Sequence, residues 1–249
     1  MSAVPPTPRT LRLSVRAADA RVELAARTTI RRCLAALGLG GVPVPVPVEQ
    51  WIERPLGYRF GIADDAELAP GVLGVARPTT GEVIVAQSLT EHEGRYRFTC
   101  AHELGHLVLH QARAELFSDG ELPGDPEAAA IEREADRFAS ALLLPLETLA
   151  STFEQARLAS GLSEQCYPLL RGDDAVTVWL WRRCFVPFLV ERYLVSRQAA
   201  IYRCREVRLP GQRRLVRPSL VELILAPKNV VAPLNLDQIR VVDGLPRSQ

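Results

Sequence analysis

The chain of 249 residues is 47% hydrophobic and 24% charged, the composition of a globular protein able to bury at least one full core. Formal net charge is only +1, no apolar run approaches the length of a bilayer span, and the N-terminus lacks the basic start and unbroken apolar stretch of a secretion signal, so a cytoplasmic protein without a membrane partner is expected. Five scattered cysteines with no CxxC pair argue against both a disulfide framework and a cysteine-based zinc site.

Residues 1–19, rich in Pro and Arg, are expected to be disordered. Over 21–37 apolar positions recur at helical spacing (Val22, Ala26, Ile30, Cys33, Leu34, Leu37), and Gly38, Gly40 and Gly41 stop the helix. The VPVPVPV that follows, residues 42–48, cannot be a central strand because each Pro removes a ladder donor, and it is read as an extended connector. Short β-like runs come next: GYRFGI, then GVLGVAR, a Pro-Thr-Thr-Gly turn and GEVIVAQ, which predict a small antiparallel sheet.

Thr90 with Glu93 three residues on predicts a capping box and a long helix running through His110. Asp125-Pro126-Glu127 predicts a second helix start, with Asp125 as N-cap, and Pro145 ends or restarts that helix. From there the pattern is mainly helical to about residue 206, with strand-like SLVELIL and QIRVV near the end. Residues 182–217 hold ten Arg against Glu191 and Glu206, although the whole chain is nearly neutral.

The chemistry concentrates in FTCAHELGHLVLH, residues 98–110. Residues four apart on a helix share a face, so His102 and His106 can present two imidazoles to one ion, while Glu103, turned about 100° away, stands where a carboxylate can take a proton from a metal-bound water. Aliphatic residues would serve a purely structural helix better, because an unpartnered imidazole is costly to bury. In EREADRFA, residues 132–139, Glu132 and Asp136 share a face beside an apolar stripe. Glu132 is the favoured third ligand, with Glu134, Glu127 and Asp136 as the remaining options, and Asp136 would receive the second N–H of a ligand histidine. His110 lies a turn too far for the same ion; it is read as a helix-end histidine, with substrate contact or contact to a ligand as the alternative. Cys100 is read as a small core residue, and Trp179 and Trp181 as core.

The two stretches RFTCAHELGHLVLH and EREADRFASALLLP, in that order, resemble the signature of the ImmA/IrrE family of zinc metallopeptidases, and the resemblance spans about residues 55–150. It implies His102, His106 and Glu132 as ligands of one catalytic zinc and Glu103 as the base. It also implies a mainly helical α+β zincin-like fold with a small antiparallel sheet over the active-site helix, the edge strand, GVLGVAR or GEVIVAQ, pairing with an extended substrate. On this reading residues 20–170 form the metallopeptidase core, and residues 171–249 a helical part with a strand-like extension.

The function implied is a zinc endopeptidase cleaving a protein substrate, a transcriptional repressor, in a stress or mobile-element response. The alternative is a DNA- or protein-binding regulator with a structural or degenerate zinc site. Residues 188–207 fit a helix-turn-helix, whose Arg197 and Arg203 would meet phosphates. The favoured reading instead packs the second helix inward through Ala199, Ala200 and Tyr202, so DNA binding is not the preferred expectation.

Overall fold

The helical and strand-like stretches of the sequence assemble around one long helix that the site uses. The computed structural model describes residues 11–111, 126–227, 239–242 and 245–248. In chain order these form α1 (Ala20–Leu37), α2 (Val48–Glu53), β1 (Arg59–Ala63), β2 (Gly74–Arg77), β3 (Glu82–Ala86), α3 (Glu93–Leu109), α4 (Pro126–Leu143) and α5 (Leu146–Ala159). Then come α6 (Cys166–Leu169), α7 (Ala175–Leu180), α8 (Val186–Tyr193) and α9 (Arg197–Glu206), with a π-type turn over Trp181–Phe185 joining α7 to α8. Two short strands, β4 (Arg208–Leu209) and β5 (Arg213–Arg214), α10 (Val221–Leu225) and a last hairpin of β6 (Ile239–Val242) and β7 (Leu245–Ser248) complete the chain.

The fold is a mainly helical α+β arrangement with a small sheet over α3. That sheet was expected to be antiparallel and is mixed, with strand order β1-β3-β2. The Pro-Thr-Thr-Gly turn makes β2 and β3 an antiparallel hairpin, Arg77 opposite Glu82. β1, however, runs parallel to β3, with Arg59 beside Glu82 and Ala63 beside Ala86. The reason lies in the connection: after β1 the chain passes the C-terminal end of β3, where the Asp65 carboxylate accepts from the Ser88 N–H at 3.0 Å, and reaches the opposite edge before forming β2. β2 is therefore an edge strand, and both it and β3 lie against α3.

Underneath, α3 packs along α4, and α4 is covered in turn by α1 and α9. A single apolar cluster takes buried side chains from Val22 in α1 to Ile224 in α10. Phe153, Trp181 and Phe185 form an aromatic group within it, with the Phe153 and Trp181 rings edge-on at 5.9 Å. Cys100 and Trp181 are fully buried in this core, in keeping with their reading as packing residues.

Several local expectations change. Part of the N-terminal segment expected to be disordered is held: Ser14 exchanges backbone hydrogen bonds with Arg208 at 2.9 and 2.7 Å, and the buried Asp19 accepts from Arg16 at 2.8 Å. The Pro-Val connector ends in a short helix, α2, that buries Trp51 and Ile52. The capping box at Thr90 does not form, because a 3-10 turn over Gln87–Glu91 intervenes, the Thr90 hydroxyl donates to Gln87 at 2.7 Å, and α3 starts at Glu93. SLVELIL is helical, with Leu220, Val221 and Ile224 buried and Glu222 and Leu223 exposed; its β-branched and aliphatic content concealed a helical period. The Asp125 N-cap falls outside the described residues.

The pair α8 and α9 turns at Leu194, and Ser196 caps α9 by accepting from Ala199 N–H at 3.0 Å. α9 is buried through Ala199, Ala200, Ile201 and Cys204. Arg203, which a DNA-binding reading would place on phosphate, is instead buried, donating to both carboxylate oxygens of Glu23 at 2.8 and 2.9 Å and to Leu144 O at 3.0 Å. Arg197 donates to Ile224 O at 3.1 Å. Among the described residues no helix is long and apolar enough to cross a membrane.

Candidate metal centre

α3 is apolar on the side that carries Cys100, Ala101, Leu104 and Leu107, all buried, and the histidines share the neighbouring face. Gly105 sets how close α4 comes: a Cβ there would stand 3.1 Å from Phe138 Cδ1 and 3.3 Å from Ala135 Cα. Close approach of the two helices is what lets Glu132, three residues before Ala135, reach across to the histidines.

The structure brings three of the sequence-predicted groups to one point. The Nε2 atoms of His102 and His106 are 3.0 Å apart, and Glu132 places one carboxylate oxygen 3.2 Å from the first and the other 3.3 Å from the second. Three ligands at ~2.0–2.1 Å around a tetrahedral ion stand ~3.3–3.4 Å apart, so two imidazoles and a carboxylate at these separations fit a zinc-sized ion and leave its fourth position open. Charge favours a cation as well. Burial opposes protonation of His102, but its hydrogen bonds to Asp136 and Glu132 outweigh that and push its pKa up to about 10. Glu132 is held well below the usual carboxylate range by its hydrogen bonds with His102 and His106. Without a metal the pair holds a proton where a divalent ion would supply the positive charge.

Each histidine is supported from behind. His102 Nδ1 donates to Asp136 at 3.0 Å, the contact anticipated from the spacing of Glu132 and Asp136. His106 Nδ1 lies 3.3 Å from Nδ1 of His110, whose Nε2 is 3.0 Å from Glu134, and Glu134 also pairs with Arg21 of α1. His110 thus stands outside the group of three and touches His106 from behind. Burial lowers its pKa, which suits a neutral ring accepting from His106 and donating to Glu134. Of the carboxylates weighed as third ligand, Glu132 joins the histidines, Asp136 and Glu134 support them, and Glu127 sits in the first turn of α4 outside the group.

Glu103 is buried beside the cluster, and its pKa is raised because burial disfavours the charge more than His102 and His106 favour it. The backbone of Ala76 in β2 faces its carboxylate and works weakly the other way, lowering the pKa. Gly74, two residues along the strand and so on the same side, leaves the room: a Cβ there would fall 2.7 Å from Glu103 Oε1 and 2.6 Å from Thr99 Cγ2. A cleft of about 660 Å3 runs between β2 and α3 over the whole group, walled also by Pro78, Arg95, Phe98 and Thr99. Phe98 and Thr99, four and three residues before His102, follow from helical spacing. Gly74 and Ala76 carry no such signal, since they come from another element.

Residues 71–205 match the peptidase M78 family, described as the IrrE N-terminal-like domain. No curated protein matches the chain. Among solved structures it is similar to a Mycobacterium tuberculosis transcriptional regulator, at 21% identity and a TM-score of 0.46, over 78% of this chain and 49% of that one. The chain therefore spans about half the length of that structure. The family match takes in more than half of the 249 residues, including every residue of the cluster, and the chain belongs to the peptidase M78 family of IrrE N-terminal-like domains.

Proposed function

We propose that the protein is a zinc-dependent endopeptidase that cleaves a protein substrate, a transcriptional repressor in a stress or mobile-element response. The observation that carries the reading is the convergence of His102, His106 and Glu132 on one point with the buried Glu103 beside it, at the floor of a cleft bordered by an edge strand. His102, His106 and Glu132 would hold the ion, which when bound lowers the pKa of a coordinated water towards ~7 and polarises a peptide carbonyl.

The chain's own groups supply the rest. β2 pairs with β3 on one side only, so its outer backbone N–H and C=O groups can add an extended peptide as a further strand and lay the scissile bond across α3. Glu103 takes a proton from the attacking water and returns it to the leaving amine; its raised pKa brings it nearer the working pH, as a group that must both accept and donate requires. Asp136 and His110 keep the two imidazoles in the tautomer whose Nε2 faces the ion.

The test is Glu103→Gln. The variant is expected to bind zinc with unchanged stoichiometry of one per chain and to lose cleavage by at least ~10²–10⁴-fold. Incubating zinc-loaded protein with the product of any repressor gene adjacent to its own tests the substrate: a single cut is expected, and equal cleavage by Glu103→Gln would sink the mechanism.

A further inference from the structure

The cleft continues past the metal group. A second cavity of about 620 Å3 opens between α3, α4 and α9, and Arg95 and Phe98 line both it and the metal cleft. Around it stand Arg95, Arg133, Arg137 and Arg205 with Asp136 and Glu206. The two carboxylates are already engaged, Asp136 by His102 at 3.0 Å and Glu206 by Arg137 at 3.5 Å, and Arg137 also pairs with Asp19 at 3.0 Å. Arg95, Arg133 and Arg205 form no ion pair among the described residues, and with Arg137 they set four guanidinium groups around one cavity against two carboxylates. Arg205 lies over the Tyr202 ring, 4.7 Å from its centre, which steadies the plane of the guanidinium and leaves its N–H edge available.

Guanidinium forks match carboxylates bidentately, and like charges gathered around a concave space are relieved by an anion placed among them. The shared wall says where that anion would come from. A peptide extended along β2 advances ~3.3 Å per residue, so a side chain within a few residues of the scissile bond reaches the second cavity. A cavity of this size takes a side chain with some of its backbone rather than the convex face of a duplex. Resting on the peptidase reading above, we infer that Arg95, Arg133 and Arg205 form a specificity-determining subsite for an Asp or Glu side chain flanking the scissile bond.

Zinc-loaded full chain incubated with a pool of C-terminally amidated peptides from a proteome digest tests this, since amidation removes the chain-terminal carboxylate as a source of the anion. Mass-spectrometric mapping of the cuts is expected to show Asp or Glu enriched about tenfold at one fixed position, the size of a lost charge-assisted hydrogen bond. The enrichment is expected to fall to about unity in Arg133→Gln/Arg205→Gln and, independently, to weaken in Arg95→Gln on the exposed surface of α3. A second readout needs no turnover: immobilised Glu103→Gln protein is expected to retain acidic peptides from the same pool, and Glu103→Gln/Arg133→Gln/Arg205→Gln to lose that selectivity.

Cutting without an acidic preference, or a preference that survives in the double variant, overturns the subsite and leaves the peptidase reading standing. Selective retention without any cutting removes the peptidase reading, and with it the subsite's part in cleavage, while the three arginines remain a site for an acidic side chain. Neither cutting nor selective retention overturns both. Displacement of the retained peptides by a short DNA duplex at physiological salt assigns the arginines to nucleic acid and overturns the proposal.

Discussion

His102 and His106 are held by two different devices, one carboxylate from α4 and one chain of three groups ending in α1. Asp136 acts on His102 directly, whereas His106 is steadied through His110, Glu134 and Arg21. Loss of such a partner loosens ring orientation and tautomer without removing a ligand, so Asp136→Ala and His110→Ala are each expected to weaken zinc binding ~10–100-fold in a competition titration with a chromogenic chelator. Ligand replacement, His106→Ala, is expected to abolish stoichiometric binding. The contact of Asp136 with His102 was legible in the chain because Glu132 and Asp136 lie one helical turn apart. The contacts of His110 were not: spacing places it on the histidine face but cannot show that Glu134 and Arg21, from two other helices, close around it.

At the scale of elements the decisive contact is that between β2 and α3. The Ala76 backbone faces the Glu103 carboxylate, and Gly74 gives it space. Gly74→Ala would drive a methyl group to within 2.7 Å of Glu103 Oε1, so either the strand or the carboxylate must shift. The expected result is a loss of cleavage of ~10²-fold with zinc stoichiometry preserved, the scale of a catalytic group misplaced by about 1 Å. Metal analysis beside a rate measurement on the same preparation checks this, and a variant of wild-type rate would show that Glu103 does not need the strand. Strong local signals located α1, α3 and α4, whose apolar positions repeat at helical spacing. The mixed sheet was less legible, because alternation marks a strand but not its direction, and direction followed from the path between β1 and β2 around the end of β3. SLVELIL shows the same limit, since a short aliphatic run is compatible with either element until its partners are known.

Across the whole molecule, ion pairs tie the first helix to elements far along the chain. Arg203 and Glu23 meet in the interior, 180 residues apart in sequence, each almost fully buried. Removing one partner strands the other charge, so Glu23→Ala is expected to lower unfolding free energy by about 3–5 kcal/mol in urea titration, a cost that replacing both by apolar residues would largely avoid. Asp19 links the N-terminal segment to α4. Burial works to raise its pKa, but the Arg16 hydrogen bond and the charge of Arg137 outweigh burial and leave it below the ordinary value. Its contribution to stability is then complete above the unfolded-state pKa of ~3.9 and lost as pH falls through the lower folded-state value, so Asp19→Asn is expected to flatten the acid limb of a stability–pH curve. Sequence by itself determined the chemistry on offer: one helix with two imidazoles and a carboxylate at fixed spacing, and a second helix with carboxylates one turn apart, because helical period makes residues four apart neighbours whatever surrounds them. Only the tertiary structure decided which carboxylate meets the histidines, what covers Glu103, why Arg203 pairs with Glu23 in the interior and which arginines gather beside the cleft, because each depends on how closely separate elements approach, and that distance is set by packing at residues such as Gly105 and Gly74 that carry no chemistry of their own.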